Sequence, residues 1–121
     1  MKQKEINKAY PAIMRLIEFK LPIQKARSVY NIMKKIREHF DFALVEEKKY
    51  VADCHGVMNQ NGTVSFSNTE ELDVFQKLIT ELNESAIEWS DKPVVLTDND
   101  IGDQTISVAD IQSLEGFVIF E

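Results

Sequence analysis

The chain has 121 residues, 44% of them hydrophobic and 28% charged, with a formal net charge of −6 and a single cysteine. This is the composition of one ordinary globular domain, and it excludes a collagen-like, a disulfide-stapled and a fully disordered chain. No apolar run approaches the roughly 18–20 residues that cross a bilayer, the opening MKQKEINK lacks an apolar signal region, and the lone Cys54 fits a reducing compartment. The expectation is therefore a cytoplasmic protein with no membrane partner.

The net charge conceals an asymmetry. Residues 1–50 carry twelve Lys/Arg against six Asp/Glu, a balance of +6, whereas residues 51–121 carry two against fourteen, a balance of −12. Such a bipolar chain offers a basic arm for nucleic acid, an acidic surface for a partner, or two halves of one fold that attract each other.

From Ile6 the apolar positions Ile6, Ala9, Tyr10, Ile13, Leu16 and Ile17 keep helical spacing, which predicts an amphipathic helix of about four turns. Pro11 falls inside this run and predicts a short first turn followed by a bend. Leu21-Pro22 ends the helix, and a second begins near Pro22, because a residue before proline is pushed out of the helical region. In that second helix Ala26, Val29, Met33, Ile36, Phe40, Ala43, Tyr50 and Cys54 follow alternating steps of three and four, with Glu47 the one polar interruption, and Tyr30, Leu44 and Val51 widen the seam. No Gly or Pro occurs from Ile23 to His55, so a helix of roughly 30 residues, about 45 Å at 1.5 Å per residue, is expected. A rod of that length exceeds what a globule of this size needs. Part of its apolar face, with Tyr30, Met33 and Phe40 foremost, is a candidate partner-binding surface, and self-association as a homodimer is its simplest use. The alternative is that the first helix and the C-terminal elements cover the stripe within one chain.

The acidic half changes period at Asn61-Gly62, a dipeptide that tolerates positive φ, and a hairpin at about 56–66 is expected. Ser67-Asn68-Thr69 with Glu70 and Glu71 caps a helix over about 69–83, whose Leu72, Phe75, Leu78, Ile79 and Leu82 repeat at helical spacing. Residues 86–89 and 94–96 resemble strand pieces flanking Pro93, which confines them to an edge or a bulge. Ser107 with Asp110 resembles a capping box, and Val108, Ile111, Leu114 and Val118 give a terminal helix, with an extended tail over 116–120 as the alternative. These elements make a single α+β domain, 1–121. It is helix-dominated, with two N-terminal helices of which the second is long, a small antiparallel hairpin or sheet, and two further helices.

Chemistry-bearing residues are sparse. Cys54-His55, with His39 as a further base or ligand, lacks the paired short spacings of a zinc site and the electropositive setting of a reactive thiol. A buried, inert Cys54 is the expectation. Asp98, Asp100 and Asp103 imitate a calcium loop, but its glycine comes one place early and Ala109 stands where the closing Glu is required. A polar turn before a capped helix is expected there. None of the GxGxxG, GxxxxGK[ST], GxSxG or HExxH strings is present. The reading is a non-enzymatic protein with no cofactor, no catalytic residues and no metal ligands. Lys25, Arg27, Lys34, Lys35 and Arg37 define the alternative, a nucleic-acid-binding face on the long helix, although the domain as a whole is acidic. Glu70, Glu71 and Asp73 are candidate partner contacts on the acidic half.

Four patches carry a resemblance that spans nearly the whole chain: INKAYPAIMRLIEFKLPIQKA with its helix–LP–helix join, SVYNIMKKIREHF, NQNGTVSF ahead of FQKLITELNE, and IEW…PVVLTD…ISVADIQSLEGFVIFE. In their order and spacing they resemble a family of small proteins of tailed phages and prophages of Gram-positive bacteria. Gly116 and the apolar tail depart from the more charged ending of that family. The resemblance implies a compact α+β fold, a phage context in the cytoplasm of a bacterial host cell, and no catalytic residues. The expected function is protein–protein binding in particle assembly or in interference with a host protein, with an unidentified phage or host protein as partner.

Overall fold

A computed structural model describes residues 1–121. The chain is α+β and helix-dominated: α1 Gln3–Leu16, α2 Ile23–Asp53, β1 Val57–Met58, β2 Val64–Ser65, α3 Thr69–Glu84, β3 Val94–Leu96, α4 Asp98–Ile101, α5 Val108–Ser113 and β4 Val118–Phe120. There are two separate two-stranded sheets, an antiparallel β1–β2 pair and a parallel β3–β4 pair.

α1 begins earlier than its apolar spacing predicts and runs through Pro11 without the predicted break. Pro11 lies on the exposed side, so its ring projects away from the core and the buried side of the turn is undisturbed. The early start has its own cause. The Ile87 amide donates to the Met1 carbonyl at 2.8 Å and the Gln3 amide to the Ser85 carbonyl at 3.0 Å, tying the N-terminus to the chain leaving α3. Buried Gln3 then donates from Nε2 to Asn7 Oδ1 at 2.9 Å and to the His39 carbonyl at 3.1 Å, joining α1 to the middle of α2.

α2 is the 31-residue helix that the absence of Gly and Pro predicts. It ends in a Schellman motif: the His55 amide donates to the Ala52 carbonyl at 3.1 Å and the Gly56 amide to the Val51 carbonyl at 2.8 Å. His55 holds the left-handed position, with φ 56, that glycine usually fills. Gly56 is needed for a different reason, because a Cβ there would come within 2.8 Å of Val64 and 2.9 Å of Phe66. The hairpin therefore folds directly onto the end of α2.

α3 starts at the Asn68 cap, whose Oδ1 accepts from the Glu71 amide at 2.8 Å. At the C-terminus the terminal helix predicted through Val118 is cut short at Ser113. Gly116 takes φ 86, the Phe117 and Val118 amides both donate to the Leu114 carbonyl, and residues 118–120 pair with 94–96 as the extended alternative required. The segment 86–89 is not a strand; it makes a single bridge, Ala86 to Lys2.

One core of fourteen buried residues unites α1, the first half of α2, β3, β4 and the end of α5, with Phe117, Ile6, Ile13, Ile36, Leu96 and Leu114 fully enclosed. The second half of α2, the hairpin and the start of α3 stand outside that core as a tip. Within the tip Phe66 packs on Phe75 with ring centroids 4.9 Å apart, and Ala43 and Cys54 are buried.

Candidate protein-binding surface

α2 presents two kinds of apolar side chain. Val29, Met33, Ile36, Ala43 and Cys54 of the predicted seam are buried, so most of the stripe is covered within one chain. Of the three seam residues expected to meet a partner, Met33 is in the core at 5% exposure, Phe40 is half-buried and stacks on Tyr10 with centroids 4.0 Å apart, and Tyr30 is open at 51%. Met33 and Phe40 are thus committed largely to intrachain packing, because α1 lies along this part of α2. Leu44, which widens the seam, is open at 41%, and the exposed apolar side chains that periodicity passed over are Phe42 and Val45, at 56% and 52%. Phe42 and Val45 lie off the seam, on the back of the helix, where a search for one amphipathic face does not look.

Beside Tyr30 is an apolar pocket of about 220 Å³. On α2 it is lined by Ala26, Val29, Tyr30 and Met33, and the α1–α2 connection supplies Ile17, Phe19 and Leu21. Gln104 holds that connection in place: its Oε1 accepts from the Lys20 amide at 2.7 Å and its Nε2 donates to the Lys20 carbonyl at 2.9 Å. All seven lining residues are hydrophobic, and the volume falls below the roughly 300–1,000 Å³ of small-molecule sites. It suits one bulky side chain.

The five cations of the basic face are not equivalent. Lys25 Nζ donates to the Val95 carbonyl and lies 3.9 Å from Asp100, and Lys35 is paired with Asp91. Arg27, Lys34 and Arg37 are exposed and without a carboxylate partner, and Lys34 Nζ sits 4.9 Å over the Tyr30 ring. A nucleic-acid surface would therefore have three free cations where the sequence offers five.

On the acidic half, Glu70 and Asp73 are exposed, whereas Glu71 is half-buried and engaged. Glu71 Oε1 accepts from Asn68 Nδ2 at 2.7 Å and Oε2 lies 3.3 Å from His55 Nδ1, so it fastens the start of α3 to the end of α2. The chemistry-bearing strings are likewise absorbed into the fold. Cys54 is buried. Asp100 completes a capping box, accepting from the Thr97 amide at 2.9 Å while its own amide donates to Thr97 Oγ1. No group of three or more His, Cys, Asp or Glu side chains is arranged to hold a metal ion, and no helix is long and apolar enough to cross a membrane.

Two clusters show shifted ionisation. Lys2 and Lys4 both bond Glu84, at 2.6 and 2.8 Å, and these hydrogen bonds lower its pKa to about 2. Arg15 grips Asp110 with two donors, Nε at 2.8 Å, and that hydrogen bonding holds the Asp110 carboxyl below its ordinary range. Asp110 thereby locks α5 to α1 in place of bonding back to the Ser107 amide as a full capping box would. Five of the seven ion pairs join the basic first fifty residues to the acidic remainder, so much of the charge asymmetry is spent holding the two halves together.

Comparison with protein-family models, curated proteins and solved structures finds no match to this chain.

Proposed function

We propose that this chain is a non-enzymatic binding protein of a phage or prophage, acting by protein–protein contact in particle assembly or in interference with a host protein. The observation that carries this reading is the exposure of Tyr30, Phe42, Leu44 and Val45 along one helix whose Val29, Ile32, Met33, Ile36 and Ala43 are buried. Large apolar side chains lose free energy by facing water, and aromatic groups and Arg are the usual anchors of protein interfaces. The phage context comes from the resemblance of the four sequence patches. In the interference version, exposed Glu70 and Asp73 present acid to a host protein that otherwise binds nucleic acid.

A photo-crosslinking residue at position 42 identifies the partner in infected host cells, and the purified partner is then titrated against wild type, Tyr30→Asp and the double variant Phe42→Asp/Val45→Asp. Binding lost in folded variants supports the reading, and equal binding by all three overturns it. A particle component as partner supports assembly; a host enzyme supports interference.

A further inference from the structure

The geometry points to a second copy of this chain as the occupant of the pocket beside Tyr30, its α2 lying antiparallel and its Leu44 seated there. The α2 lining residues Ala26, Val29, Tyr30 and Met33 stand at i, i+3, i+4 and i+7, the four positions that form a hole for one knob of a facing helix. The knob is on the same helix. Leu44 lies eighteen residues beyond Ala26, five full turns at 3.6 residues per turn, so it projects from the same side, and it is 41% exposed. A two-fold axis near Ile36–Arg37 exchanges the two features, each copy giving a Leu44 and receiving one. The stacked, half-buried Tyr10 and Phe40 continue the apolar seam between pocket and knob.

Charge selects the orientation. From Ile23 to Arg37, α2 carries Lys25, Arg27, Lys34, Lys35 and Arg37 and no acid. From Glu38 to Asp53 it carries Glu38, Asp41, Glu46, Glu47 and Asp53 against Lys48 and Lys49. Antiparallel pairing lays the basic half of each helix on the acidic half of the other, whereas parallel pairing opposes like charges. With Leu44 in the hole, Lys34 faces the partner's Asp41. Lys34 has no carboxylate partner within its own chain. The two Arg37 side chains approach near the axis, one turn from the Asp41 of each copy.

This inference rests on the reading of α2 as a binding surface, and the two fail separately. Sedimentation of the purified full chain over a range of concentrations measures self-association without any other protein. A dimer is expected, and Leu44→Asp should weaken it at least about tenfold, the loss of a buried Leu from each copy. Lys34→Glu and Asp41→Lys should each weaken it, and the double variant should restore it. Residues 34 and 41 are seven apart on one helix and make no ion pair within the chain, so restoration reports a contact between copies. Far-UV circular dichroism checks that each variant folds. A wild-type monomer at high micromolar concentration, a dimer indifferent to Leu44→Asp, or a double variant no tighter than its singles overturns the second copy as occupant. Loss of the Phe42- and Val45-dependent partner overturns the wider reading.

Discussion

The body and the tip of this molecule are built on the same helix but stabilised in different ways. In the body, α2 is flanked by α1, β3 and the Phe117 corner, and Val29, Ile32, Met33 and Ile36 are at most 5% exposed. In the tip, the same periodic stripe continues through Ala43, Tyr50 and Cys54, but its cover is a two-residue-stranded hairpin and the first turns of α3. Few partners leave few buried side chains, and Leu44, Val45, Val57, Met58 and Val74 are all more than 40% exposed. A periodic stripe in sequence therefore says that a face is apolar and does not say what covers it. Local stability follows cover, so the tip belongs to the low-stability end of the molecule and the body to the global unfolding unit.

The largest test of that contrast is Phe117→Ala. Phe117 is 1% exposed and meets Trp89 edge-on at 5.0 Å, so its removal should cost about 3–5 kcal/mol by urea denaturation. Against a total of about 5–15 kcal/mol the whole chain should become marginal, tip included. A loss under about 1 kcal/mol would place the stabilising core elsewhere. Phe66→Ala should cost about 1–2 kcal/mol, because Phe66 is only half-buried against Phe75. Its signature is regional. Amide exchange should accelerate over residues 50–75 while the amides of α1 and β3 keep their protection, and uniform acceleration would show one cooperative unit.

A smaller change should act in the opposite direction. His55 sits at φ 56 at the end of α2, a conformation that costs a side-chain-bearing residue about 1 kcal/mol more than glycine. His55→Gly removes that strain and also removes the Nδ1 contact to half-buried Glu71, a pairing worth less than the strain because its imidazole is 80% exposed. The net expectation is a gain of a few tenths to about 1 kcal/mol, confined to tip protection in hydrogen exchange. A loss would show that Glu71 needs His55 more than α2 needs a relaxed terminus.

What was legible in the sequence follows the same division between local and long-range causes. The length of α2, the Asn61-Gly62 hairpin and the Asn68-capped α3 all depend on neighbours within a few residues, and each formed where its residues place it, whereas the Thr97 capping box that makes the short helix α4 out of the expected polar turn is equally local and was passed over. The parallel β3–β4 pair depends on strands separated by more than twenty residues, and a short apolar tail after Gly116 fits a helix or a strand equally well by period. α1 was misplaced for a related reason: its start is fixed by Ser85 and Ile87, which are distant in sequence. The proposed binding surface was half legible. Tyr30 stood out as an aromatic on a seam, but the pocket beside it needs Phe19 and Leu21 from the connection, and Phe42 and Val45 lie off any single stripe. Spacing cannot show that Glu71, Lys25 and Lys35 are turned to internal partners.

The boundary between body and tip runs along α3, and the Glu84 cluster tests to which side its last turn belongs. Glu84 joins α3 to Lys2 and Lys4 at the start of α1, and these bonds depress its pKa from 4.5 to about 2. A carboxyl depressed in the folded state contributes stability that is fully present above its unfolded pKa and is lost as pH falls through the folded one. The tether should therefore hold undiminished above about pH 4.5 and disappear by about pH 2. Glu84→Gln removes the charge at every pH, so the difference in melting temperature between wild type and variant should be steady near neutrality and shrink across that window. Because the cluster is exposed, salt should reduce the difference as well. If α3 ends in the body, the neutral-pH loss appears in the global transition. If the difference appears only in exchange of α3 and hairpin amides, with the global transition unmoved, α3 belongs wholly to the tip and the body closes on α1 and α2 without it.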